Sequence, residues 1–383
     1  MWAIQLEKWR VPSTNDALMN RKITVLITSA GSRTAEAIVA SLQEVRHEIR
    51  LVGTNSVAEF VCISDLDAAY LVPLTKDVLG FARRMRDIVT VENPDVILNG
   101  RDEEVALLAA LAAETGCLFL GPPPWLTHVF ADKYQTYKFA RSHDLPFVET
   151  AVTPAELDQL LGRRGFPLIA KPRIDGHAGK DVFLLFNRMQ ADRMLTEGRF
   201  VIQPYMGPEG LGEEMHEWGK SKGMPWTWNP VNVYYQLDFV VGEYGTAVSM
   251  CVTRAERSGN IIQRMEVLDD AVLDALAHRH IEVLGRYQHA GPVNVQGYLD
   301  REGQFCAFEW NSRFVGSVDG LALLGKNLVV AALADRFPLS VTAPLAQDEQ
   351  RVFFRPMMYK AVSQKMIRQL ALNGSCQAID FAN

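Results

Sequence analysis

Apolar runs alternate with helical segments over the first third of the chain, and this alternation constrains the fold more than any other feature. The runs ITVLITSAGS, EIRLVGTN and PDVILNGRDE begin at residues 23, 48 and 94. Helical spacing of apolar residues lies between and after them, at residues 33–43, 77–89 and 103–114. Strands that alternate with helices predict a parallel, doubly wound α/β sheet over residues 21–124. The GPPP run at residues 121–124 ends this unit.

From residue 125 the pattern changes to an α+β one. A helix is expected over residues 132–143, and short strands are expected over residues 166–173, 182–186 and 200–206. Four longer strands follow in VNVYYQLDFVV, TAVSMCVTRAE, PVNVQGYLD and GQFCAFEWN. Long strands of this kind in the second half of the chain predict antiparallel sheets.

These patterns divide the chain into four units. Residues 21–124 form the α/β domain, and residues 125–206 form a small α+β unit that carries a glycine-containing loop. Residues 207–340 form a larger unit, which a Gly- and Trp-rich stretch at 207–230 interrupts as either a substrate lid or a surface insertion. In residues 341–383, the alternating stretch RVFFRPMMYKAVS is expected to add a strand to the late sheet.

Composition excludes several classes of function. The net charge of −6 and the lack of a long basic run argue against a nucleic-acid partner. No apolar run reaches the roughly 18–20 residues of a membrane span, and the first 18 residues lack the features of a secretory signal. The five cysteines are scattered without metal-ligand spacing, which fits a reducing compartment. We therefore expect a cytoplasmic protein without nucleic-acid or membrane partners.

The late strand FCAFEWNSRF (residues 305–314) carries polar groups at alternate positions. Because successive side chains of a strand point to opposite faces, Glu309, Asn311 and Arg313 are expected on one face, together with Phe305 and Ala307. Glu309 and Arg313 alone are equally well interpreted as an ion pair on a solvated sheet face. Whether these residues form a binding site instead depends on the strand that precedes them.

The strand PVNVQGYLD is expected to pair with FCAFEWNSRF in a hairpin. A two-residue turn at Glu302 and Gly303 would place Gln296 opposite Glu309 on the same face. Gln296, Glu309 and Asn311 would then form a compact set of oxygen donors. One carboxylate with two amides suits Mg²⁺, which keeps several waters and takes further ligands from phosphates.

Two lysines and a glycine loop upstream favour the binding site. Lys171 lies near the end of the apolar strand FPLIAKPR, where a buried ammonium needs an anionic partner. The loop DGHAGKD follows, and backbone N–H groups of such a loop can contact phosphates, although an ordinary hairpin turn would have the same spacing. Lys133 begins a predicted helix, and by itself it is more typical of a surface lysine than of a binding residue.

Taken in order, these segments resemble the ATP-grasp superfamily. The likeness rests on ADKYQTYKFARSHDLPFVET, FPLIAKPRIDGHAGKDV, VIQPYM, GPVNVQGYLD and FEWNSRF, and it is strongest for the carbamoyl-phosphate-synthetase and biotin-carboxylase-like branch. LITSAGSR is similar to the opening of the pre-ATP-grasp domain of that branch. The resemblance spans roughly residues 21–340. It implies an α/β pre-ATP-grasp domain with a parallel sheet, followed by an α+β ATP-grasp domain with antiparallel sheets.

The resemblance also implies which residues bind ATP. Lys133 and Lys171 match the two lysines that contact ATP, and Asp238 matches an acidic strand position. The loop over the phosphates is matched by Gly176, His177, Gly179 and Lys180. The adenine-reading hinge is matched by Gln203, Pro204, Tyr205 and Met206. Tyr234 stands where the pattern has a glutamate, so the ribose-binding carboxylate is either missing or supplied by Glu209 or Glu213.

The catalytic and metal positions follow from the same resemblance. Arg254 matches an arginine that steadies the transferring phosphate, and Arg313 matches the arginine beside the metal ligands. Gln296, Glu309 and Asn311 match the ligands of Mg²⁺, for which Mn²⁺ is an alternative.

The resemblance implies a function as well. ATP would phosphorylate a carboxylate, and an amino-acid-like amine would displace phosphate to form an amide, in a protein that is a homodimer in similar cases. The alternatives are an acyl phosphate passed to a non-amine acceptor and a nucleotide-binding regulator without turnover. A dehydrogenase ranks below these, because TSAGSRTAEA lacks the G-x-G-x-x-G fingerprint.

Overall fold

The computed structural model describes residues 21–174, 181–206, 211–221, 231–258, 261–300, 302–340, 352–354 and 362–378. The strands are β1 Ile23–Ile27, β2 Ile49–Asn55, β3 Ala68–Leu71, β4 Val96–Leu98, β5 Leu118–Phe119, β6 Leu168–Pro172, β7 Phe183–Leu185, β8 Phe200–Pro204, β9 Val231–Val241, β10 Ala247–Ser258, β11 Ile261–Val267, β12 Gly291–Leu299, β13 Phe305–Asn311, β14 Val352–Phe354 and β15 Ser375–Gln377.

The helices are α1 Arg33–Ser41, α2 Val78–Glu92, α3 Val105–Thr115, α4 Thr127–Ala131, α5 Lys133–Ser142, α6 Pro154–Arg164, α7 Arg188–Glu197, α8 Leu211–Ser221, α9 Ala271–Arg286, α10 Val318–Leu323, α11 Leu328–Ala334 and α12 Gln364–Asn373. No helix in the described ranges has both the length and the apolar character that a membrane crossing requires.

The first sheet is the predicted parallel one. Its strand order is β15-β3-β2-β1-β4-β5, and β1 to β5 run parallel to one another. All five residues of β1 are buried, as expected for a parallel strand covered on both faces. The order reverses at β1, with β2 on one side and β4 on the other. This arrangement confirms the α/β class of the first domain.

The end of the chain contributes to two sheets. β14 pairs with β11 at the edge of the late sheet, as expected for the segment 341–383. β15 instead runs antiparallel to β3 in the first sheet, with Cys376 buried opposite Ala69. The prediction that this segment adds to the late sheet is therefore incomplete, because a three-residue strand has too little periodicity to identify its partner.

The second half holds two antiparallel sheets, which confirms its α+β class. The small sheet has the order β7-β6-β8, and the large sheet has the order β13-β12-β9-β10-β11-β14. One face of the large sheet packs on α9 and α5 through side chains such as Phe239, Val295 and Trp310. Its other face shares a hydrophobic core with the first domain, in which Val240 and Met265 join Leu321 of α10 and Val25 of β1. The large sheet is therefore packed directly against the parallel domain.

The hairpin between β12 and β13 has a longer turn than the two-residue turn predicted at Glu302 and Gly303. Leu299 pairs with Phe305, Asp300 N donates to Gln304 O (2.9 Å), and Gly303 has φ +75°. The turn therefore contains one more residue than predicted. Glycine permits the left-handed conformation that such a turn requires.

A β-bulge corrects the register before the polar residues. Gly297 pairs with Ala307, yet Gln296 pairs with Glu309, so Phe308 is the extra residue. The predicted pairing of Gln296 with Glu309 is thus confirmed, although the predicted turn is wrong. The prediction that Phe305 and Ala307 share a face with Glu309 is also wrong. Both pack with Trp310 in the core on the opposite face, because the bulge reverses the alternation.

Gly297 is required where the bulge forms. A Cβ atom at this position would lie 2.4 Å from Cζ of Phe305 and 2.6 Å from the backbone oxygen of Cys306. We expect Gly297→Ala to lower the free energy of unfolding by about 1–3 kcal/mol, as measured by urea denaturation. Gly162→Ala is the matched control, since its Cβ would meet nothing within 4 Å in α6. The control should be neutral or more stable by about 0.5–1 kcal/mol, and equal losses in both variants would contradict the assignment.

Candidate active site

Two lysines converge on Glu309 from different elements. Lys133 is the first residue of α5, whose N-cap Asp132 accepts a hydrogen bond from Tyr134 N (2.9 Å). The Nζ atom of Lys133 lies 3.9 Å from Oε1 of Glu309. Lys171 on β6 is buried, and its Nζ donates to the backbone oxygen of Phe308 (2.8 Å), the bulged residue. Residues of the small unit and the large sheet thus meet at the bulge of β13.

The side chains around Glu309 carry more positive charge than negative charge. Burial lowers the pKa of Lys171 to about 7, with Glu309 opposing the shift and Lys133 adding to it. Burial would raise the pKa of Glu309, but Lys133, Lys171 and Arg313 together hold it below its ordinary value. One carboxylate faces several cations, so a polyanion such as a nucleotide phosphate would be stabilised here.

A network of buried amides continues from Glu309 across the large sheet. Asn294 Oδ1 accepts hydrogen bonds from Gln296 Nε2 (2.8 Å) and Asn311 Nδ2 (3.3 Å). Asn294 Nδ2 donates to Asp238 Oδ1 (2.8 Å). Asn294 is therefore the centre of the network, and it was missed as a site residue. The signal was present, because Asn294 and Gln296 stand two apart in the NxQ pattern of one strand.

The donor set fits a hard divalent cation. The amide nitrogens of Gln296 and Asn311 are committed to Asn294, so their oxygens are the groups that each can offer a metal. Glu309 supplies a single carboxylate, and no cluster of three His, Cys, Asp or Glu side chains exists among the described residues. A site with so little negative charge suits Mg²⁺ that arrives with nucleotide phosphates.

Asp238 lies at the floor of the site and is fully enclosed. Burial raises its pKa to about 7, and the hydrogen bond from Asn294 partly opposes this shift. Its Oδ2 atom has no hydrogen-bond partner among the described residues. The structure therefore connects Asp238 through Asn294 to the amides of Gln296 and Asn311.

The predicted adenine hinge lies beside the strand of Lys171. Val201 of β8 pairs with Lys171, and Pro204 pairs with Leu168. Gln203 is buried and its Nε2 donates to Thr150 Oγ1 (3.0 Å), so its side chain is committed to the fold. Tyr205 and Met206 follow the end of β8, where Tyr205 N donates to Pro167 O and Met206 packs against the large-sheet core.

Arg313 connects the site to the first domain. Its Nε donates to Asp102 Oδ2 (2.8 Å), 211 residues earlier in the sequence, and its Nη1 donates to Phe314 O (3.2 Å). Arg313 also contributes to lowering the pKa of Glu309. The ion pair with Asp102 was not foreseen, because nothing local in the sequence marks it.

Arg254 lies on the wrong face of the sheet for its predicted role. It pairs with Tyr235 and Glu266, and its Nη1 donates to Glu256 (2.7 Å). Thr253, next to it, is hydrogen-bonded to Gln236 on the face of the amide network. The assignment of Arg254 as the phosphate-steadying arginine is therefore contradicted by the register.

Arg257 occupies the face that Arg254 was expected to reach. Its guanidinium lies 5.3 Å from the ring centroid of Tyr234, and its charge contributes to the pKa shifts of both Lys171 and Glu309. The register of β10 with β9 is continuous from Ser249 to Ser258, so regular alternation places Arg257 on the face of Thr253 and Ala255, opposite to Arg254. The alternation of RAERS therefore carried the signal for Arg257, which the motif-based assignment of Arg254 missed.

Part of the predicted site lies outside the described residues. This applies to Gly176, His177, Gly179 and Lys180 of the glycine loop, to Glu209, and to Trp226 and Trp228 of the 207–230 stretch. Within that stretch α8 is described. Its Met215 is buried, and the ring of His216 lies 5.2 Å from that of Phe186. This helix therefore packs against the small unit.

Comparison with known proteins gives no match by sequence, whereas comparison by structure finds similar folds. A scan of protein-family models gives no match, and a search of curated proteins finds no similar sequence. The structure is similar to N5-carboxyaminoimidazole synthetase from Staphylococcus aureus in complex with ADP. The TM-score is 0.62 at 14% identity, over 87% of this chain and 80% of that one. The chain has the ATP-grasp fold.

Two further structures share the ATP-grasp fold with this chain. The biotin carboxylase domain dimer of Hydrogenobacter thermophilus 2-oxoglutarate carboxylase, in complex with MgADP, has a TM-score of 0.58 at 14% identity, over 82% of this chain and 69% of that one. The L-amino acid ligase from Bacillus licheniformis has a TM-score of 0.58 at 14% identity, over 83% and 75% of the two chains. At this identity the likeness concerns the ATP-grasp fold and not individual residues.

The two arginines of β10 form a matched pair for mutation. We expect Arg257→Met to weaken ADP binding in the presence of Mg²⁺ by about tenfold or more, because a cation facing the site is removed. Arg254→Met should change the affinity by less than about twofold, since Arg254 faces away. Isothermal titration calorimetry measures both. A larger loss for Arg254→Met would contradict the assignment of faces.

The bond between Asn294 and Asp238 can be tested by a double-mutant cycle. Asn294→Leu leaves the Asp238 carboxyl buried without its donor, so the single variant should be strongly destabilised. Asp238→Leu with Asn294→Leu removes both partners, and the cycle should give a coupling free energy of about 1.5–3 kcal/mol in urea unfolding. Additive effects would show that the pair does not support the network.

Proposed function

We propose that this protein is an ATP-dependent carboxylate–amine ligase. It would transfer the γ-phosphoryl group of ATP to a carboxylate and join the acyl group to an amino-acid-like amine, with release of ADP and phosphate. The observation that carries the proposal is the convergence of Lys133 and Lys171 on Glu309 beside the amides of Gln296 and Asn311. Such a set can bind a nucleotide with its metal, and it offers no nucleophile of its own.

The chemistry asks the protein for positioning and charge stabilisation. Lys133, Lys171 and Arg257 would offset negative charge on the phosphates and on the transferred phosphoryl group. Mg²⁺ bound by Gln296, Glu309 and Asn311 would supply further neutralisation of that charge. The acyl phosphate needs protection from water, a role that the predicted glycine loop with Gly176, His177, Gly179 and Lys180 would fill.

The remaining ATP contacts belong to the same proposal. The hinge formed by Gln203, Pro204, Tyr205 and Met206 would bind adenine through its backbone, and Asp238 would act through Asn294 on the metal-binding amides. Arg313 would hold an oxygen of the substrate while paired with Asp102.

Three observations support the nucleotide, the oligomeric state and the location that we propose. The similar structures include a synthetase with ADP, a carboxylase domain with MgADP and an L-amino acid ligase. The carboxylase domain is a dimer, and we extend a homodimer to this chain. None of the five cysteines forms a disulfide, which fits the reducing cytoplasm that we propose as the location of the protein.

Glu309 and Asn311 are the decisive positions for turnover. We expect Glu309→Gln and Asn311→Ala each to lower ADP release by about 100-fold or more, because the proposed metal site loses its only carboxylate charge in the first variant and an oxygen donor in the second. Circular dichroism should show that both variants remain folded. Glu243→Gln, at an exposed ion pair with Arg336, serves as the control and should retain full activity. Rates like those of the wild type in both site variants would overturn the metal assignment.

The reaction type is tested by measuring ADP formation over a panel of carboxylic acids and amines. We expect ADP to form only when an acid and an amine are both present, with mass spectrometry detecting the amide. ADP formation with an acid alone would favour a non-amine acceptor. Binding of ATP without turnover under any combination would indicate a regulator and contradict the ligase.

A further inference from the structure

A second cleft lies in the parallel domain, apart from the group around Glu309. It has a volume of about 490 Å³ and is lined by the carboxyl-terminal ends of β2, β3 and β4 and the elements that follow them. The strand order of this sheet reverses at β1. Ligands of open α/β sheets bind in the crevice at such a reversal, and the volume lies in the range of small-molecule sites.

The cleft combines three kinds of side chain. Lys76 and Arg101 are exposed in its wall, and neither forms a side-chain hydrogen bond or ion pair with another described residue. Glu104 also lines the cleft but is only 3% exposed. Apolar side chains such as Val72, Leu74 and Phe81 form about half of the remaining wall, and polar residues including Glu103 form the rest. Two cations, two carboxylates, of which Glu104 is buried, and an apolar surface therefore border one space.

Glu104 is held in place by the loop after β1. Thr28 Oγ1 donates to Glu104 Oε2 (2.6 Å), and Ser29 Oγ donates to Oε1 (2.8 Å). Ser29 has φ +45°, an uncommon conformation for a residue other than glycine. Burial raises the pKa of Glu104 to about 7, whereas the two hydroxyls and Arg101 favour its ionised form. A cationic group in the cleft would stabilise the carboxylate further.

The cleft adjoins the catalytic face through one residue. Asp102, which pairs with Arg313, stands between the cleft residues Arg101 and Glu103 in the short turn before α3. The turn that carries the cleft residues Arg101 and Glu103 thus also carries the partner of Arg313, so the cleft and the proposed active site share one element.

We propose that this cleft binds the amine substrate, and that this substrate is a zwitterionic amino acid with an apolar side chain. Glu104 would bind the ammonium group, and Lys76 and Arg101 would bind the carboxylate. Val72, Leu74 and Phe81 would contact the side chain. This inference rests on the proposed ligase function, whose substrate it specifies.

Binding is tested by titrating L-leucine into the full-length protein in the presence of ADP and Mg²⁺. L-Leucine should bind, whereas 4-methylpentanoate, which lacks the ammonium group, and 3-methylbutylamine, which lacks the carboxylate, should each bind at least about tenfold more weakly. L-Aspartate should also bind more weakly, because the wall is apolar. Equal affinity for 4-methylpentanoate and L-leucine would overturn the role of Glu104.

Substitutions of the charged residues that line the cleft test whether L-leucine binds there. Lys76→Met and Arg101→Met change exposed side chains and should leave folding intact, yet each should weaken L-leucine binding by about tenfold. Neither should alter the affinity for 3-methylbutylamine. Glu104→Gln should weaken both ligands that carry an ammonium group. Glu114→Gln on α3, an exposed partner of Arg86, is the control and should bind L-leucine as the wild type does.

The outcomes separate this inference from the ligase proposal. If an acid and an amine together yield ADP but the Lys76, Arg101 and Glu104 variants keep the wild-type KM for every amine, the cleft assignment is wrong and the ligase stands. If L-leucine binds and the variants lose it while no acid supports turnover, the ligase is wrong and the cleft stands as an amino-acid site. Absence of L-leucine binding together with intact ADP binding also overturns the cleft assignment.

Discussion

The hydrogen bond from the buried Lys171 ammonium to the Phe308 carbonyl is the contact on which the site depends. It connects the small sheet to the large one at the bulge of β13. The bulge frees that carbonyl from regular pairing and turns Glu309 toward Lys133 as well. A buried ammonium is costly unless charged or polar groups surround it. The local excess of positive charge therefore exists in advance of the nucleotide that would balance it.

The amide network extends this arrangement into the core. Asn294 donates to Asp238 and Gln236 and accepts from two other amides, so its orientation is determined by four partners at once. Buried polar networks of this kind are stable only when their members are satisfied together. Gln296 and Asn311 are thereby held in place, which is the preorganisation that a site of low negative charge needs in order to bind a metal with its nucleotide.

The parallel domain contributes more than a support for the large sheet. It shares a hydrophobic core with the sheet, and among the described residues the ion pairs of Arg313 with Asp102 and of Arg33 with Asp319 cross the boundary. Asp102 precedes the α3 helix beside the cleft at the reversal of the strand order. The site around Glu309 and the second cleft are thus connected through a few charged side chains at the boundary between the parallel domain and the large sheet.

The sequence by itself determined the α/β and α+β halves, most of the strands, and the pairing of Gln296 with Glu309. These features depend on local periodicity and on motif spacing, which the chain displays without folding. Only the tertiary structure decided the bulge at Phe308, the central position of Asn294 and the return of β15 to the first sheet. A single extra residue reverses every side chain beyond it, and partners such as Arg313 and Asp102 lie 211 residues apart. Such choices are made by packing between distant segments, and local patterns do not record them.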